Sequence, residues 1–270
     1  MPDQPVVLIT GASSGVGQAT AELLAQRGFK VFGTSRNPPI AKVMPPVVML
    51  PLDVRADDSV RACVETVLSQ SAHLDILINN AGYELAGALE ELSAEEIRGQ
   101  FETNFFGAVR MIHAVLPSMR RRKRGHIINV SSLAGLTPIP FLGIYSASKF
   151  ALEGYTEALR HELRPFNVRV SLIEPAFLKT SMMNHRQVGA TLIPEYDQWR
   201  RRALEAVRSF EQKGLGPEVV AHTVLEIISH NTSRLRHLIG RQAHSIARLR
   251  RFLPAALYEQ GVRRNFSLDA

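Results

Sequence analysis

The chain is predicted to fold as one doubly wound α/β domain, with a parallel sheet of seven strands and helices on both faces. Three observations predict it. Short, nearly continuous apolar runs alternate with helical patterns from Val6 to Ile239, as strands buried on both faces require. The first run ends in a glycine-rich turn that opens a helix, the connection on which such sheets are built. No composition break, internal repeat or low-complexity tract divides the 270 residues, a length within reach of a single α/β unit.

The elements follow in order. Val6-Val7-Leu8-Ile9 is the first strand, and residues 19–26 are helical, closed by Arg27-Gly28 with glycine at the C-cap. Val31-Phe32 belongs to the second strand. A loop punctuated by Pro38-Pro39 and Pro45-Pro46 leads to the third, at 47–50. Residues 60–68 have helical spacing, and 74–78 form a fourth strand ended by Asn79-Asn80-Ala81-Gly82. A long helix is expected over about 101–119, a fifth strand at 126–130, a helix over 146–163 and a sixth strand at 168–173. Residues 181–216 read as a polar, irregular stretch. Pro217 opens a helix at its N1 position, and 235–239 forms the seventh strand.

Composition narrows the class. Hydrophobic residues are 45% of the chain, enough for a large core. The one cysteine, Cys63, lies in an apolar-periodic stretch and reads as a buried small hydrophobe in a reducing compartment. Met1-Pro2-Asp3-Gln4 lacks the basic segment of a signal peptide, and no apolar run is long enough to span a bilayer. These features predict a soluble, cytoplasmic protein. The net charge is +7, partly from Arg120-Arg121-Arg122-Lys123-Arg124, which reads as a solvated helix C-terminus. Nothing resembles a base-reading motif, and aromatic residues are 7%, so nucleic acid is not an expected partner. No metal site is expected, because the nine histidines show no paired-ligand spacing.

The turn reads Thr10-Gly11-Ala12-Ser13-Ser14-Gly15-Val16-Gly17. In strand–turn–helix context, glycines permit the tight turn, a close backbone approach to a pyrophosphate and close helix packing, while helix N–H groups face the phosphates. The spacing is G-x-x-x-G-x-G. The same residues fit G-x-S-x-G, the nucleophile elbow of serine hydrolases. Against that reading, little sheet precedes the turn and Gly17 has no role in an elbow. The second strand ends Gly33-Thr34-Ser35-Arg36-Asn37, without the acid that would bind the ribose of NAD. Arg36 can pair with a 2′-phosphate instead, with Ser13 and Ser14 adding hydroxyl contacts, which favours NADP.

Tyr145 and Lys149 are spaced i, i+4 at the opening of a helix, so phenol and ammonium share a face. A nearby cation is expected to lower the phenol pKa and make Tyr145 a general acid and base. Ser132 lies thirteen residues earlier, past the fifth strand; Asn79-Asn80-Ala81-Gly82 ends the fourth; Asn104 lies in the helix that comes next. With the glycine-rich turn, these residues closely resemble the short-chain dehydrogenase/reductase family over residues 6–180, and with it the Rossmann fold.

The resemblance implies a catalytic tetrad of Asn104, Ser132, Tyr145 and Lys149. Tyr145 would move the proton, Ser132 polarise the substrate oxygen, Lys149 bind the nicotinamide ribose and tune Tyr145, and Asn104 help place a relay water. It assigns Gly11, Ser13, Ser14, Gly15, Val16 and Gly17 to the cofactor, as it does Asp53 and Val54 near the adenine. Asn80, Ala81 and Gly82 would line the adenosine side, and Pro175 to Thr180 the nicotinamide end. One residue departs: Ala176 stands where the family has glycine, which would strain a positive φ. The implied activity is NADP(H)-dependent hydride transfer to or from a carbonyl or alcohol carbon of a small molecule. A non-catalytic NADP(H)-binding sensor on the same fold is the competing reading.

Residues 181–216 fall where the family places its substrate lid. Met182, Met183, Leu192, Ile193, Tyr196 and Trp199 there would suit an apolar substrate. Segments 31–36 and 173–180, with the basic tail, look more like the hydroxysteroid and retinol dehydrogenase branch than the fatty-acid reductase branch. The extension over about 241–270 mixes apolar and arginine positions at 246–253. That pattern suits core docking or a subunit contact, and after those a membrane surface. The resemblance also implies a homodimer or homotetramer meeting through the helices that carry Asn104 and Lys149.

Overall fold

Val6, Val7, Leu8 and Ile9 are all buried, as a strand covered on both faces demands. They form β1 (Val6–Ile9), within a computed structural model that describes residues 4–38, 47–180, 186–230 and 234–269. Among these residues β1 joins β2 (Lys30–Ser35), β3 (Val47–Pro51), β4 (Ile76–Asn79), β6 (Gly125–Val130), β7 (Val168–Pro175) and β9 (Arg236–Ile239) in one sheet. A separate parallel pair joins β5 (Leu85–Ala86) to β8 (Gln187–Val188). The large sheet has the order β3-β2-β1-β4-β6-β7-β9, and every pairing is parallel. The chain runs outward through β2 and β3, then returns to the other side of β1. Such a reversal opens a crevice beyond the C-terminal ends of β1 and β4.

Side chains alternate across the sheet. Val7, Ile9 and Ile78 pack with Ala21 and Leu24 of α1 (Gly15–Gln26) and Val220 and Val224 of α7 (Glu218–Ser229). Leu8, Leu77 and Ile127 face the opposite layer, made by α2 (Asp57–Ser71), α4 (Gly107–Arg122) and α5 (Gly143–Leu163). Cys63 is buried in that second layer, and burial pushes its thiol up to about 11. The doubly wound, single-domain architecture is the expected one.

Several boundaries differ from expectation. The long helix begins earlier, at α3 (Ala94–Phe101), where Ser93 and Glu96 form a reciprocal capping box. A five-residue π segment, Glu102–Phe106, joins α3 to α4. Residues 181–216 are not irregular throughout, because α6 (Asp197–Gln212) occupies much of that stretch. Its apolar period is masked by charge: beside Ala203 and Val207, the inward face buries Arg200 against Glu91 and Glu211 against Arg186. Pro217 stands at the N-cap of α7, one residue before the expected N1. The expected Met182 and Met183 of the lid lie outside the described residues.

The basic run at 120–124 ends α4. Arg122 donates to the Leu74 carbonyl and to Asp75, and Lys123 takes the left-handed C-cap. The C-terminal extension is two helices, α8 (Arg241–Phe252) and α9 (Ala255–Asn265). It docks through Arg250 on the Leu136 carbonyl, Tyr258 with Thr137, and a buried Phe266 edge-on to Phe210. Leu249, Phe252, Leu253 and Leu257 remain exposed. No helix among the described residues is long and apolar enough to cross a membrane.

Candidate active site

The crevice is a cavity of ≈ 620 Å³ at the C-terminal ends of β1, β4, β6 and β7. Its floor begins at the glycine-rich turn. Gly11 and Gly15 take left-handed φ values of 68° and 55°, conformations that a side chain would strain. A methyl on Gly17 would collide with the Gly11 carbonyl oxygen, so glycine there lets α1 close onto the turn. Asn80 fastens the turn from the other side: its Nδ2 donates to the carbonyl oxygens of Thr10 and Gly11, each at 3.0 Å. The Thr10 hydroxyl accepts from the N–H groups of Asn80 and Ala81. Ser14, the N-cap of α1, makes no side-chain cap bond, and no acid stands in the first turn. The first-turn N–H groups and the positive helix end therefore face the cavity uncompensated, as a bound pyrophosphate requires. Among the described residues no histidine lines the cavity near Ser13 or Ser14, so none of them offers the hydrolase elbow a histidine base.

One end of the cavity is cationic. Arg36 follows β2 directly and is exposed, and Arg55 lines the wall beside it. Asp53 is gripped by Arg55, whose Nε and Nη2 donate to its carboxylate at 2.7–3.2 Å. The Arg55 hydrogen bond holds the Asp53 carboxyl down at about 2, with the charge of Arg36 adding to the effect. Arg55 is a residue that sequence reasoning missed. It occupies the carboxylate that the resemblance assigns to the adenine.

The other end gathers Ser132, Tyr145 and Lys149. Ser132 caps a 3-10 turn after β6, its Oγ accepting from the Ala134 N–H at 3.1 Å. Lys149 Nζ lies 5.8 Å from the centre of the Tyr145 ring and donates to the Val130 carbonyl at 2.9 Å. The lowered phenol pKa expected from the lysine does not hold in this cavity. Burial pushes the Tyr145 phenol up and the Glu84 carboxylate adds to that, while a Ser132 hydrogen bond pulls the other way. Burial also lowers Lys149 to about 8, against the opposing charges of Glu153 and Glu84. Desolvation outweighs the ion–phenol attraction because both groups are enclosed.

Asn104 and Gly17 do not line the cavity. Asn104 sits in the π segment, where its Oδ1 accepts from Tyr83 N at 3.1 Å and its Nδ2 donates to Tyr83 O at 3.0 Å. The same Nδ2 reaches Ser148 Oγ, 3.3 Å away, and Ser148 in turn donates to the Tyr145 carbonyl. The Asn104 side chain thus ties the wall carrying Tyr83 to the helix carrying Tyr145. The other expected site residues, Ser13, Ser14, Gly15, Val16, Val54, Ala81, Gly82, Pro175 and Thr180, all line the cavity. Ala176 does not take a left-handed backbone, and its N–H donates to Ile239 O, so the alanine is unstrained.

The lid contributes differently from expectation. Leu192, Ile193, Tyr196 and Trp199 do not line the cavity; Gln187 and Glu211 do. The apolar wall comes from Leu133, Ile139, Leu142, Phe177 and Leu178.

Comparison with known proteins agrees with this geometry. The sequence profile of the family described as short chain dehydrogenase matches residues 5–189. The chain is 41% identical to the 3-ketodihydrosphingosine reductase of Bacteroides thetaiotaomicron over 237 residues, covering 87% of each protein. It is 38% identical to retinol dehydrogenase 8 of Bos taurus over 259 residues, covering 87% of this chain and 82% of that one. Among solved structures, a short-chain dehydrogenase/reductase of Burkholderia phymatum in complex with NAD superposes with a TM-score of 0.81 and 30% identity, covering 92% of this chain and 93% of that one. One from Burkholderia cenocepacia in complex with NADP gives 0.77 and 26%, covering 96% and 97%.

Proposed function

Because the chain belongs to the short-chain dehydrogenase/reductase family, we propose that it is an NADP(H)-dependent oxidoreductase in which Tyr145 exchanges a proton with the oxygen of a carbonyl or alcohol substrate. One observation carries the reading: Ser132, Tyr145 and Lys149 converge at one end of a cavity whose floor is an uncapped, glycine-opened helix N-terminus. The cofactor, when bound, supplies or accepts the hydride. The Gly11–Gly17 turn and the α1 N-terminus would hold its pyrophosphate, and Arg36 with Ser13 and Ser14 would hold the 2′-phosphate.

The protein's own groups handle the proton. The Tyr145 phenol donates to the substrate oxygen, and the Ser132 hydroxyl donates a second hydrogen bond to that atom. Burial keeps the phenol protonated at neutral pH, the form that carbonyl reduction uses. Lys149, fixed on the Val130 carbonyl, provides a positive charge beside the phenol as negative charge develops there. Asn104 acts as a positioning residue through Tyr83 and Ser148. Ile139, Leu142, Phe177 and Leu178 exclude water and favour a substrate with a substantial apolar part, in keeping with the substrates named for the two curated relatives. The helices carrying Asn104 and Lys149 leave Phe106 and Phe150 at the surface, and we assign that face to association of like subunits.

A panel of aldehydes and ketones assayed with NADPH and NADH in parallel tests the reading. Oxidation of NADPH by apolar carbonyls, faster than that of NADH, is the expected result. No turnover with either cofactor across the panel would contradict it.

A further inference from the structure

Among the described residues, the wall beside Tyr145 carries two carboxylates, Glu84 and Glu211, paired by one guanidinium, that of Arg186. Glu84 precedes β5, Arg186 precedes β8, and Glu211 is in the last turn of α6. Arg186 Nε donates to Glu84 Oε2 at 2.7 Å, and its Nη2 pairs with Glu84 and with Glu211. The side chains are 7–11% exposed. Glu84 and Glu211 line the cavity, whereas Arg186 sits behind them. Glu211 Oε2 is buried and has no hydrogen-bond partner among the described residues.

One arginine against two carboxylates leaves a local excess of negative charge on this wall, in a cavity that also holds the Lys149 ammonium. That charge reaches the reacting groups: Glu84 and Glu211 both push the Tyr145 phenol up, and Glu84 favours the charged form of Lys149. With a neutral carbonyl substrate the two carboxylates oppose the negative charge that proton donation builds on the phenol, and only Lys149 offsets them. A cluster that merely fastened the lid would be satisfied by one carboxylate. A surplus carboxylate in the cavity wall with an unpaired buried oxygen calls for a cation or a strong donor. Burial also pulls the Glu211 carboxyl up to about 7, which an occupying cation would reverse.

We propose that Glu84 and Glu211 form a subsite for a protonated amine, and that the substrate is an amphiphilic amino ketone or amino alcohol. The inference rests on Tyr145 as the proton-transfer group and names the substrate class of that site. The apolar chain lies against Ile139, Leu142, Phe177 and Leu178, and the ammonium lies against the Glu84 and Glu211 carboxylates of the wall. Both carboxylates line the same cavity as the Tyr145 phenol, so one substrate molecule reaches them and the proton donor together. In reduction the carbonyl carbon gains the hydride from the reduced nicotinamide and its oxygen gains the Tyr145 proton. The ammonium keeps its bonds and its charge, and neutralises the cluster while the phenol becomes negative.

The test compares 3-ketodihydrosphingosine, a long-chain 2-amino ketone, with its N-acetyl derivative, in which the positive charge is gone. Both are assayed with NADPH on wild type, Glu211→Gln and Glu84→Gln, and dihydrosphingosine binding is followed by calorimetry. Wild type is expected to favour the free amine by at least about tenfold in kcat/KM, and Glu211→Gln to bring that ratio towards one, chiefly through KM. Dihydrosphingosine binding weakens in parallel. Equal use of the two ketones by wild type overturns the inference while leaving Tyr145 chemistry standing. So does a Glu211→Gln variant that slows both alike, which would make the cluster a lid fastener. Turnover of neither ketone, nor of simple neutral carbonyls, would overturn the reading beneath it. Thermal melts of both variants confirm that folding is retained.

Discussion

Lys149 Nζ donates to the Val130 carbonyl oxygen at 2.9 Å, joining the helix that carries Tyr145 to the strand end that leads to Ser132. The bond holds the ammonium in a buried place, and burial lowers its pKa from 10.5 to about 8. On this account kcat/KM for carbonyl reduction falls as pH rises through about 8, where Lys149 loses its proton. Lys149→Arg, which stays charged, moves that limb beyond the range, and Lys149→Met lowers kcat/KM at neutral pH by about 100-fold. Stability has the opposite dependence: between about 8 and 10.5 the unfolded chain holds the Lys149 proton more tightly, so this residue's contribution rises with pH. A pH–rate profile flat to the alkaline limit of folding would contradict the assignment.

Gly17 shows how closely the turn is packed. An added methyl meets the Gly11 carbonyl oxygen and lies 2.5 Å from Asn80 Nδ2. Gly17→Ala is expected to cost about 1–3 kcal/mol of stability by overpacking. It should also weaken NADPH binding at least about tenfold, because the turn that faces the pyrophosphate is displaced. Denaturant unfolding and a fluorescence titration read the two effects, and wild-type values for both would show that the turn tolerates a side chain.

The cationic end predicts cofactor choice. Removing one charged hydrogen-bond donor to a phosphate costs about 1.5–3 kcal/mol. Arg36→Ala should therefore raise the Kd for NADPH by about 10- to 100-fold and leave that for NADH nearly unchanged. Equal losses for both cofactors would assign Arg36 to the shared part of the dinucleotide instead.

Phe266 is buried edge-on to Phe210, which stacks at 5.1 Å on Phe177 of the cavity wall. The tail therefore supports the pocket from behind. Phe266→Ala is expected to destabilise the protein by about 3 kcal/mol, speed amide exchange in α9 and raise KM for apolar substrates while kcat changes little. An unchanged KM would separate the tail from the pocket.

The parallel sheet was legible because most strands are short apolar runs and several of the turns between them carry glycine or asparagine. The cofactor cradle and the Ser132, Tyr145 and Lys149 group were legible because their spacing is local or ordered along the chain. What stayed hidden depends on charge buried by pairing. The inward face of α6 reads as polar until Arg200 is seen against Glu91 and Glu211 against Arg186. Glu84 and Arg186 are 102 residues apart, and nothing in either neighbourhood announces the other. Asn104 was expected in the site, whereas its grip on Tyr83 depends on the π segment, which the sequence does not announce. The start of α3 could have been found, since Ser93-Ala94-Glu95-Glu96 is a capping-box signature. The sign of the Tyr145 shift could not, because it depends on how deeply the phenol is enclosed.

Tyr145→Phe puts the central claim to the most direct test, with NADPH oxidation and NADPH binding measured on the same preparation. Loss of turnover by at least about 10³-fold, with the Kd for NADPH within about twofold of wild type, is the predicted result. A variant that binds NADPH normally and still turns over within about tenfold of wild type would contradict proton transfer by Tyr145.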